Sequence, residues 1–223
     1  MEYTLKIAFQ HTGSPDMHQR CDGEFTISLQ SLAEMAGSRS PAVQGSFADF
    51  LRFWEEEGKH LLYPAAFLAP VQKGMPAHHD AVCALWTIGD KLEKKVSQLF
   101  SEGAYMKGTF LDAAGTCTLL HMHRAVFNQV RAYGYYVIDE RYPDETFPGD
   151  FGTCEIITVT GAHSLISAAG NQGMFIPKKT VCSYFILGKD KEKALRREKQ
   201  QACSRCPGKQ CLCYQIGSCH LRQ

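Results

Sequence analysis

Residues 81–88 read AVCALWTI, a mostly apolar run with the length of one β-strand. Gly89-Asp90 follows as a turn and helix cap, and Leu92, Val96, Leu99 and Phe100 then recur at helical spacing on one face. The segment therefore predicts a buried strand that turns directly into an amphipathic helix, which ends at Gly103.

The sequence before this segment predicts further strands and a helix. Apolar residues alternate with other residues over 3–9 and again over 25–29, which indicates a hairpin or sheet edge. A helix is predicted to begin at Ser46 and to end at Gly58. Its apolar stripe favours a core face over a cofactor site and consists of Phe47, Phe50, Leu51 and Trp54.

The sequence after it predicts a long helix over residues 112–133, a loop over 141–152 and a helix from Thr153. A pair of strands is predicted at 164–169 and 180–187, joined by GNQGMFIPKK. Because parallel βαβ units do not recur, the pattern favours an α+β fold with a largely antiparallel sheet.

Charge divides the chain into two unequal parts. The whole chain has 24 basic and 23 acidic residues, but residues 189–223 contain nine basic and three acidic ones. The tail therefore carries a net charge of +6 and residues 1–188 a net charge of −5. The near-neutral total gives no indication of nucleic-acid binding.

Targeting signals are not evident. The first ten residues, MEYTLKIAFQ, lack the features of a secretory signal, and no apolar run approaches the roughly 18–20 residues that span a bilayer. We therefore expect a cytoplasmic protein without a membrane partner, in which thiols stay reduced.

Five of the ten cysteines lie in the last 21 residues. Their spacing, C-x2-C-x4-C-x-C-x5-C-H, is typical of a metal site, since two thiolates two residues apart can bind one ion. An iron–sulfur cluster (for example 4Fe-4S), a zinc ion held by four Cys or by three Cys and His220, and a redox-active or disordered thiol tail remain alternatives. The predicted metal ligands are Cys203, Cys206, Cys211, Cys213 and Cys219.

Cys117 and His121 lie four residues apart on the predicted long helix and would share a face. Such a pair could act as nucleophile and base. Without an evident third group to orient the His, a packed Cys beside a hydrogen-bonded His is the favoured interpretation.

Several short motifs occur in an order that resembles the activation domain of vitamin B12-dependent methionine synthase. The first series is Thr87-Ile88-Gly89, Leu92-Glu93, Leu99-Phe100, Gly103-Ala104-Tyr105 and Leu111-Asp112-Ala113-Ala114-Gly115. A later block over 173–181, GMFIPKKTV, is similar to the methionine–hydrophobic–proline–basic hairpin of that family and its following strand. Stand-alone bacterial members often end in a short C-x2-C-x4-C tail, as this chain does.

The resemblance covers roughly residues 81–213 and suggests three regions. These are an N-terminal α/β segment (1–80), an activation-like core (81–188) and a basic linker with the Cys-rich tail (189–223). The fold implied is a twisted, mainly antiparallel sheet flanked by helices.

The function that the resemblance implies is the reductive reactivation of a corrinoid protein. In methionine synthase this domain binds S-adenosylmethionine and presents its methyl group to cob(II)alamin while an electron arrives. The implied partners are a corrinoid protein or separate methionine synthase module, which supplies the corrinoid, and an electron donor such as a flavodoxin or ferredoxin. A methyltransferase-activation role in methionine biosynthesis would follow.

The resemblance also suggests cofactor-binding residues. Arg141, Tyr142 and Gly149 lie in the loop that corresponds to the adenosylmethionine loop, and Met174 and Pro177 lie in the hairpin. The loop departs from the family pattern of Arg, three residues and Gly-Tyr, because Arg141 is eight residues before Gly149 and Asp150 replaces the tyrosine.

Two alternatives account for that departure. The chain could be a non-catalytic binding or scaffold module for a corrinoid protein, with structural zinc in its tail, or a corrinoid storage protein without methyl transfer. In either case, Arg141 would be a surface ion-pair partner of Glu140 or Asp144.

Overall fold

The computed structural model describes residues 2–11, 22–28, 41–71, 81–132, 136–143, 152–169, 173–188 and 192. The described α-helices are α1 (Pro41–Glu56), α2 (Lys91–Ser101), α3 (Tyr105–Ala132) and α4 (Thr153–Thr160). The described strands are β1 (Glu2–His11), β2 (Asp22–Ser28), β3 (Ala65–Val71), β4 (Ala81–Thr87), β5 (Tyr136–Arg141), β6 (Ser167–Ala169), β7 (Met174–Ile176) and β8 (Thr180–Gly188). Short 3-10 helices cover Gly58–Leu61 and Ala162–Ser164.

Six of these strands form one sheet in the order β2-β1-β3-β4-β8-β5, and β6 pairs with β7 in a separate two-stranded sheet. β1 and β3 run parallel, and every other described pair is antiparallel. The α+β prediction with a largely antiparallel sheet is confirmed. Strands from residues 2–71 share the main sheet with those from residues 81–188.

The two faces of the main sheet contact different helices because successive side chains of a strand point to opposite faces. Val82, Ala84 and Trp86 of β4 belong to a core cluster with α1, α2 and α3. Cys83 and Leu85 belong to a second cluster that includes Ile156 and Ile157 of α4 and Cys182 and Tyr184 of β8. Residues 81–88 are buried throughout, as the apolar sequence predicts.

The predicted stripe of α1 faces the core. Phe50 and Trp54 are fully buried, and Phe47 and Leu51 pack against the same cluster. Phe110 of α3 contacts both phenylalanines, with ring centroids 5.4 Å from Phe47 and 5.3 Å from Phe50. Burial of the Phe50 side chain and of the Trp54 side chain each stabilises the fold by about 2–3 kcal/mol as an upper estimate.

Two of the predicted helix starts are wrong. α1 begins at Pro41 rather than Ser46, in keeping with the preference of proline for the first turn. α3 begins at Tyr105 rather than Asp112. Gly108 lies inside α3, where a Cβ would approach Cε1 of the Phe100 ring of α2 to 2.9 Å. The absence of a side chain at this position therefore allows α2 and α3 to pack closely.

The predicted pairing of 164–169 with 180–187 is also wrong. Ser167–Ala169 pairs with Met174–Ile176, whereas Thr180–Gly188 lies between β4 and β5 in the main sheet. The helix predicted from Thr153 and the strand over 81–88 are confirmed, and α2 ends at Ser101, two residues before Gly103. None of the helices within the described part of the chain is long and apolar enough to cross a membrane.

Candidate functional site

The turn between β4 and α2 is built around Gly89. Its φ of +77° lies in the left-handed region that favours glycine, and a Cβ there would lie 3.1 Å from Cβ of Tyr63. The Tyr63 N–H donates to the Ile88 carbonyl at 2.9 Å. The turn is therefore fastened to the segment that precedes β3.

A cleft of about 510 Å³ opens beside this turn. Its lining brings together two parts of the chain, Tyr63 with residues 89–91 and residues 163–167 with Ile176 and Pro177. This volume falls in the range of small-molecule sites, roughly 300–1,000 Å³. We call it the turn cleft, and Pro177, one of the predicted cofactor-binding residues, lies in its wall.

Large apolar side chains remain exposed at this end of the molecule. Tyr63 is 58% exposed, Ile176 is 48% exposed and Met174, the other predicted hairpin residue, is 63% exposed. Pro177 is buried and follows a cis peptide bond. The hairpin thus exposes two apolar side chains, Met174 and Ile176, to solvent. The next residue, Pro177, which precedes β8, is buried.

Lys179 connects the hairpin to the helices. Its ammonium lies 3.0 Å from the Asp112 carboxylate and 3.0 Å from the Thr116 hydroxyl, both on α3. Its backbone N–H donates to the Glu93 carboxylate on α2. We call this set of contacts the Lys179 junction.

The carbonyl of Lys179 completes the junction at the end of β4. It accepts from the Thr87 hydroxyl at 3.1 Å and from the Ile88 N–H at 3.4 Å. The Thr87 oxygen in turn accepts from the Gly89 N–H at 3.2 Å and from the Thr180 hydroxyl at 3.0 Å. The fully buried Thr87 hydroxyl is therefore hydrogen-bonded in every direction.

Gly115 gives the Lys179 side chain its room. A Cβ at Gly115 would lie 2.8 Å from Cδ of Lys179 and 3.0 Å from side-chain carbons of Ile88 and Leu92. The motifs 87–89, 92–93, 111–115 and 173–181, which are far apart in sequence, therefore meet around one lysine.

Arg141 and Tyr142 lie elsewhere, at the end of β5. The Arg141 Nε donates to the Asp139 carboxylate at 3.1 Å, so Asp139, which the sequence did not suggest, is an ion-pair partner of Arg141. Tyr142 is 43% exposed. Neither residue is among the described residues that line the turn cleft, and Gly149 and Asp144 lie outside the described residues.

A polar network that the sequence did not suggest links α3 to β5 and β8. His123 Nε2 lies 2.8 Å from Oε1 of Glu140, and the buried Ser183 hydroxyl donates to the same oxygen at 2.6 Å. Rings of Trp86, Phe127 and Phe185 surround the imidazole. Because the hydroxyl donates to the carboxylate and not to the imidazole, the three residues do not form a nucleophile–base relay.

Three of the described cysteines, Cys83, Cys117 and Cys182, are buried and suited to packing, whereas Cys154 on α4 is exposed. Burial raises the pKa of Cys117 to about 12, so its thiol stays protonated and is a weak nucleophile near neutral pH. His121 is also buried. The burial of both residues agrees with the packed Cys of the favoured interpretation, and the hydrogen bond of His121 stays a prediction.

Cys83 and Cys182 lie side by side between β4 and β8, with sulfur atoms 3.9 Å apart. The contact with Cys83 and burial raise the pKa of Cys182. A disulfide needs a separation of about 2.05 Å, and both thiols are free. The two residues therefore contribute to the core as small apolar side chains.

The predicted metal ligands, Cys203, Cys206, Cys211, Cys213 and Cys219, lie outside the described residues. Within the ranges that the structure covers, no group of three or more His, Cys, Asp or Glu side chains is arranged to hold a metal ion.

Comparison of the sequence with known protein families finds no matching family, and comparison with curated proteins finds no significant match. The function is therefore argued from the sites themselves.

Proposed function

We propose that this chain is a stand-alone activation module that helps to restore methylated cobalamin on a corrinoid protein or a separate methionine synthase module. In the proposed reaction one electron reduces cob(II)alamin to cob(I)alamin. The cob(I)alamin then takes the methyl group of S-adenosylmethionine, which leaves as S-adenosylhomocysteine.

The observation that carries the proposal is the Lys179 junction. Four of the six motifs that resemble the activation family (87–89, 92–93, 111–115 and 173–181) are separated by up to about ninety residues, yet they contact one another through Lys179, Thr87, Glu93 and Asp112. Independent surface motifs would have no reason to converge. Their convergence supports the interpretation that they belong to one architectural unit, as the resemblance implies.

Arg141 and Tyr142 are the residues that we propose for the methionine part of the methyl donor. The Asp139 carboxylate fixes the guanidinium through Nε, while 39% of the Arg141 side chain remains exposed. A guanidinium oriented in this way is suited to a carboxylate, which it can bind through two parallel hydrogen bonds. The adjacent exposed Tyr142 ring offers an apolar surface beside it.

We further propose that the tail cysteines hold an iron–sulfur cluster that passes the electron from a flavodoxin or ferredoxin to the corrinoid. Short spacings between cysteines suit such a cluster, and zinc suits them as well. Anaerobic reconstitution with iron and sulfide followed by absorption spectroscopy near 400 nm separates the two. A colourless protein with stoichiometric zinc would contradict the electron-transfer role.

The second candidate is a scaffold module that binds a corrinoid protein without catalysis and has structural zinc in its tail. The ion pair between Arg141 and Asp139 favours this alternative, since an arginine with an acidic partner already has a structural role.

Calorimetric titration of the whole chain with S-adenosylmethionine tests the proposal against this alternative. We expect saturable binding that Arg141→Met weakens at least tenfold, because the substitution removes a charge-assisted pair of hydrogen bonds worth about 1.5–3 kcal/mol. Arg131→Met on α3, whose guanidinium packs on the Phe127 ring, is the matched control and should bind normally. Absence of binding to the methyl donor, together with binding of a corrinoid protein, would favour the scaffold.

A further inference from the structure

The proposed function does not use the turn cleft. Pro177 is the one described residue of the predicted cofactor-binding set in its lining, and Arg141 and Tyr142, the residues proposed for the methyl donor, are not part of the described lining. Its lining combines the apolar side chains of Tyr63, Leu165, Ile166, Ile176 and Pro177 with a few polar groups. This composition is typical of sites for small organic molecules.

The backbone conformation of Tyr63, a residue of the cleft lining, is restricted. Its N–H is bonded to the Ile88 carbonyl, and the following Pro64 restricts Tyr63 to extended conformations. Despite this anchoring, 58% of Tyr63 remains exposed, and Ile176 in the same lining is nearly half exposed. An exposed aromatic side chain on a restricted backbone, in one cleft with apolar side chains, is suited to contact a flat ring.

The charges at the cleft favour an anionic ligand. The Lys94 ammonium donates a hydrogen bond to the Asp90 carboxylate and holds the pKa of that carboxyl below its usual value. The negative charge of Asp90 is thus matched by a lysine outside the lining. Lys91 is exposed in the lining and contributes only the last and smallest of the effects that lower the pKa of Asp90, and no ion pair of Lys91 occurs in the described part of the chain.

Three further polar side chains belong to the lining. His163, Ser164 and Ser167 supply hydrogen-bonding side chains there, and all three residues are exposed. A ligand with a ring at Tyr63 and an anionic group near Lys91 therefore finds hydrogen-bonding side chains in the same cleft.

We propose that the turn cleft binds a small molecule that combines a planar aromatic ring with an anionic group. The ring contacts Tyr63 and the apolar side chains of Ile176 and Pro177, and the anion lies at Lys91. Nucleoside monophosphates and aromatic carboxylates share this chemistry. This inference does not depend on the methyl-transfer function.

NMR titration of the ¹⁵N-labelled whole chain tests the proposal with AMP, indole-3-acetate and, as a neutral probe, adenosine. We expect AMP, indole-3-acetate or both to shift the amide signals of Gly89, Lys91 and Ser167 saturably. A response to AMP alone assigns a nucleotide, and a response to indole-3-acetate alone assigns an aromatic carboxylate. Saturable binding of neither charged probe, or adenosine binding as tightly as AMP, would overturn the proposal.

Variants locate the binding in the cleft. Tyr63→Ser should weaken the binding of the responding probe about three- to tenfold, and Lys91→Glu should weaken it about tenfold, whereas Tyr63→Phe should retain it. Tyr105→Ser and Lys107→Glu alter an exposed tyrosine and a lysine at the start of α3, outside the described lining, and serve as matched controls. Equal losses in the controls, or no loss in the cleft variants, would contradict the assignment.

Discussion

The ammonium of Lys179 lies 3.0 Å from the carboxylate of Asp112, and this contact attaches the segment between β7 and β8 to the middle of α3. The lysine side chain is 13% exposed and the aspartate side chain 51% exposed. Because a mostly buried ammonium requires hydrogen-bonding or ion-pair partners, Lys179 has a structural role at this position.

We expect Lys179→Met to lower the free energy of unfolding by about 1–2 kcal/mol, because it removes the bonds to Asp112 and Thr116 but keeps the aliphatic contacts and the backbone bonds. The half-exposed carboxylate keeps the expected loss at this modest level. Urea unfolding measures the change as a lower midpoint at unchanged slope. Lys178→Met, at an exposed neighbouring position, should change the free energy by less than about 0.5 kcal/mol. Equal effects at the two positions would contradict a special role for Lys179.

Gly115→Ala should destabilise the protein by about 1–3 kcal/mol, because its Cβ would approach Lys179, Ile88 and Leu92 within 2.8–3.0 Å. Gly45→Ala in α1 is the matched control, since a Cβ there meets nothing within 4 Å. The control should stabilise the protein by about 1 kcal/mol through helix propensity. Thermal unfolding of both variants measures the difference, and a stabilising Gly115→Ala would show that the junction is loosely packed.

Alanine substitutions at Gly89 and Gly103, two glycines with positive φ, distinguish the cost of backbone strain from the cost of contact with Tyr63. Gly89 and Gly103 have φ of +77° and +78°, but a Cβ would meet a neighbour within 4 Å only at Gly89, where that neighbour is Tyr63. Alanine at Gly103 should therefore cost about 1–2 kcal/mol for the left-handed conformation alone. Alanine at Gly89 should cost about 1 kcal/mol more. Equal free energies of unfolding would mean that Tyr63 moves away without cost.

Stability should decrease in alkaline solution partly through Cys117. Burial raises its pKa from about 9.0 to about 12, so the unfolded chain releases a proton between these values while the folded chain retains it. The stabilisation is complete below pH 9 and is lost as the pH rises toward 12, at up to about 1.4 kcal/mol per pH unit.

Urea unfolding at pH 8.5, 9.5 and 10.5 measures this dependence. Cys117→Ala should reduce the slope of stability against pH even though the small cavity lowers stability at every pH. Cys154→Ala removes an exposed thiol and is the control. An identical slope in wild type and Cys117→Ala would show that Cys117 does not contribute.

Local sequence patterns predicted the strand and the helix whose apolar residues contact the core. The apolar run over 81–88 predicted β4, and the stripe with Phe50 and Trp54 predicted the core face of α1. Both faces of β4 are covered by helices, so its sequence is apolar throughout and the signal is strong. The α+β class follows from the same patterns.

β3 was not predicted, and its sequence includes or follows two prolines, Pro64 and Pro70, which are unfavourable in a central strand. β1 pairs with β3 only over Ala65–Leu68, so within the described strands Pro70 lies beyond the end of that pairing and its missing N–H costs no bond there. Proline therefore marks a local strand edge that the sequence alone could not locate.

β5 was missed because its second half, Asp139-Glu140-Arg141, is charged. It lies at the end of the described sheet, where charges are common. Glu140 is compensated by His123 and Ser183, which are 17 and 43 residues away in sequence. Networks that depend on such distant partners, like the Lys179 junction and the turn cleft, leave no periodic signal in one sequence.

The transfer of a labelled methyl group is the decisive test of the proposed reactivation function. The whole chain is mixed anaerobically with cob(II)alamin-loaded methionine synthase module, an electron donor and S-adenosylmethionine carrying a ¹³C-methyl group, and the cobalamin is analysed by mass spectrometry. We expect labelled methylcobalamin that requires both the chain and the reductant and that Arg141→Met reduces at least tenfold. Unlabelled cobalamin from a chain that nevertheless binds the module would contradict the proposed function.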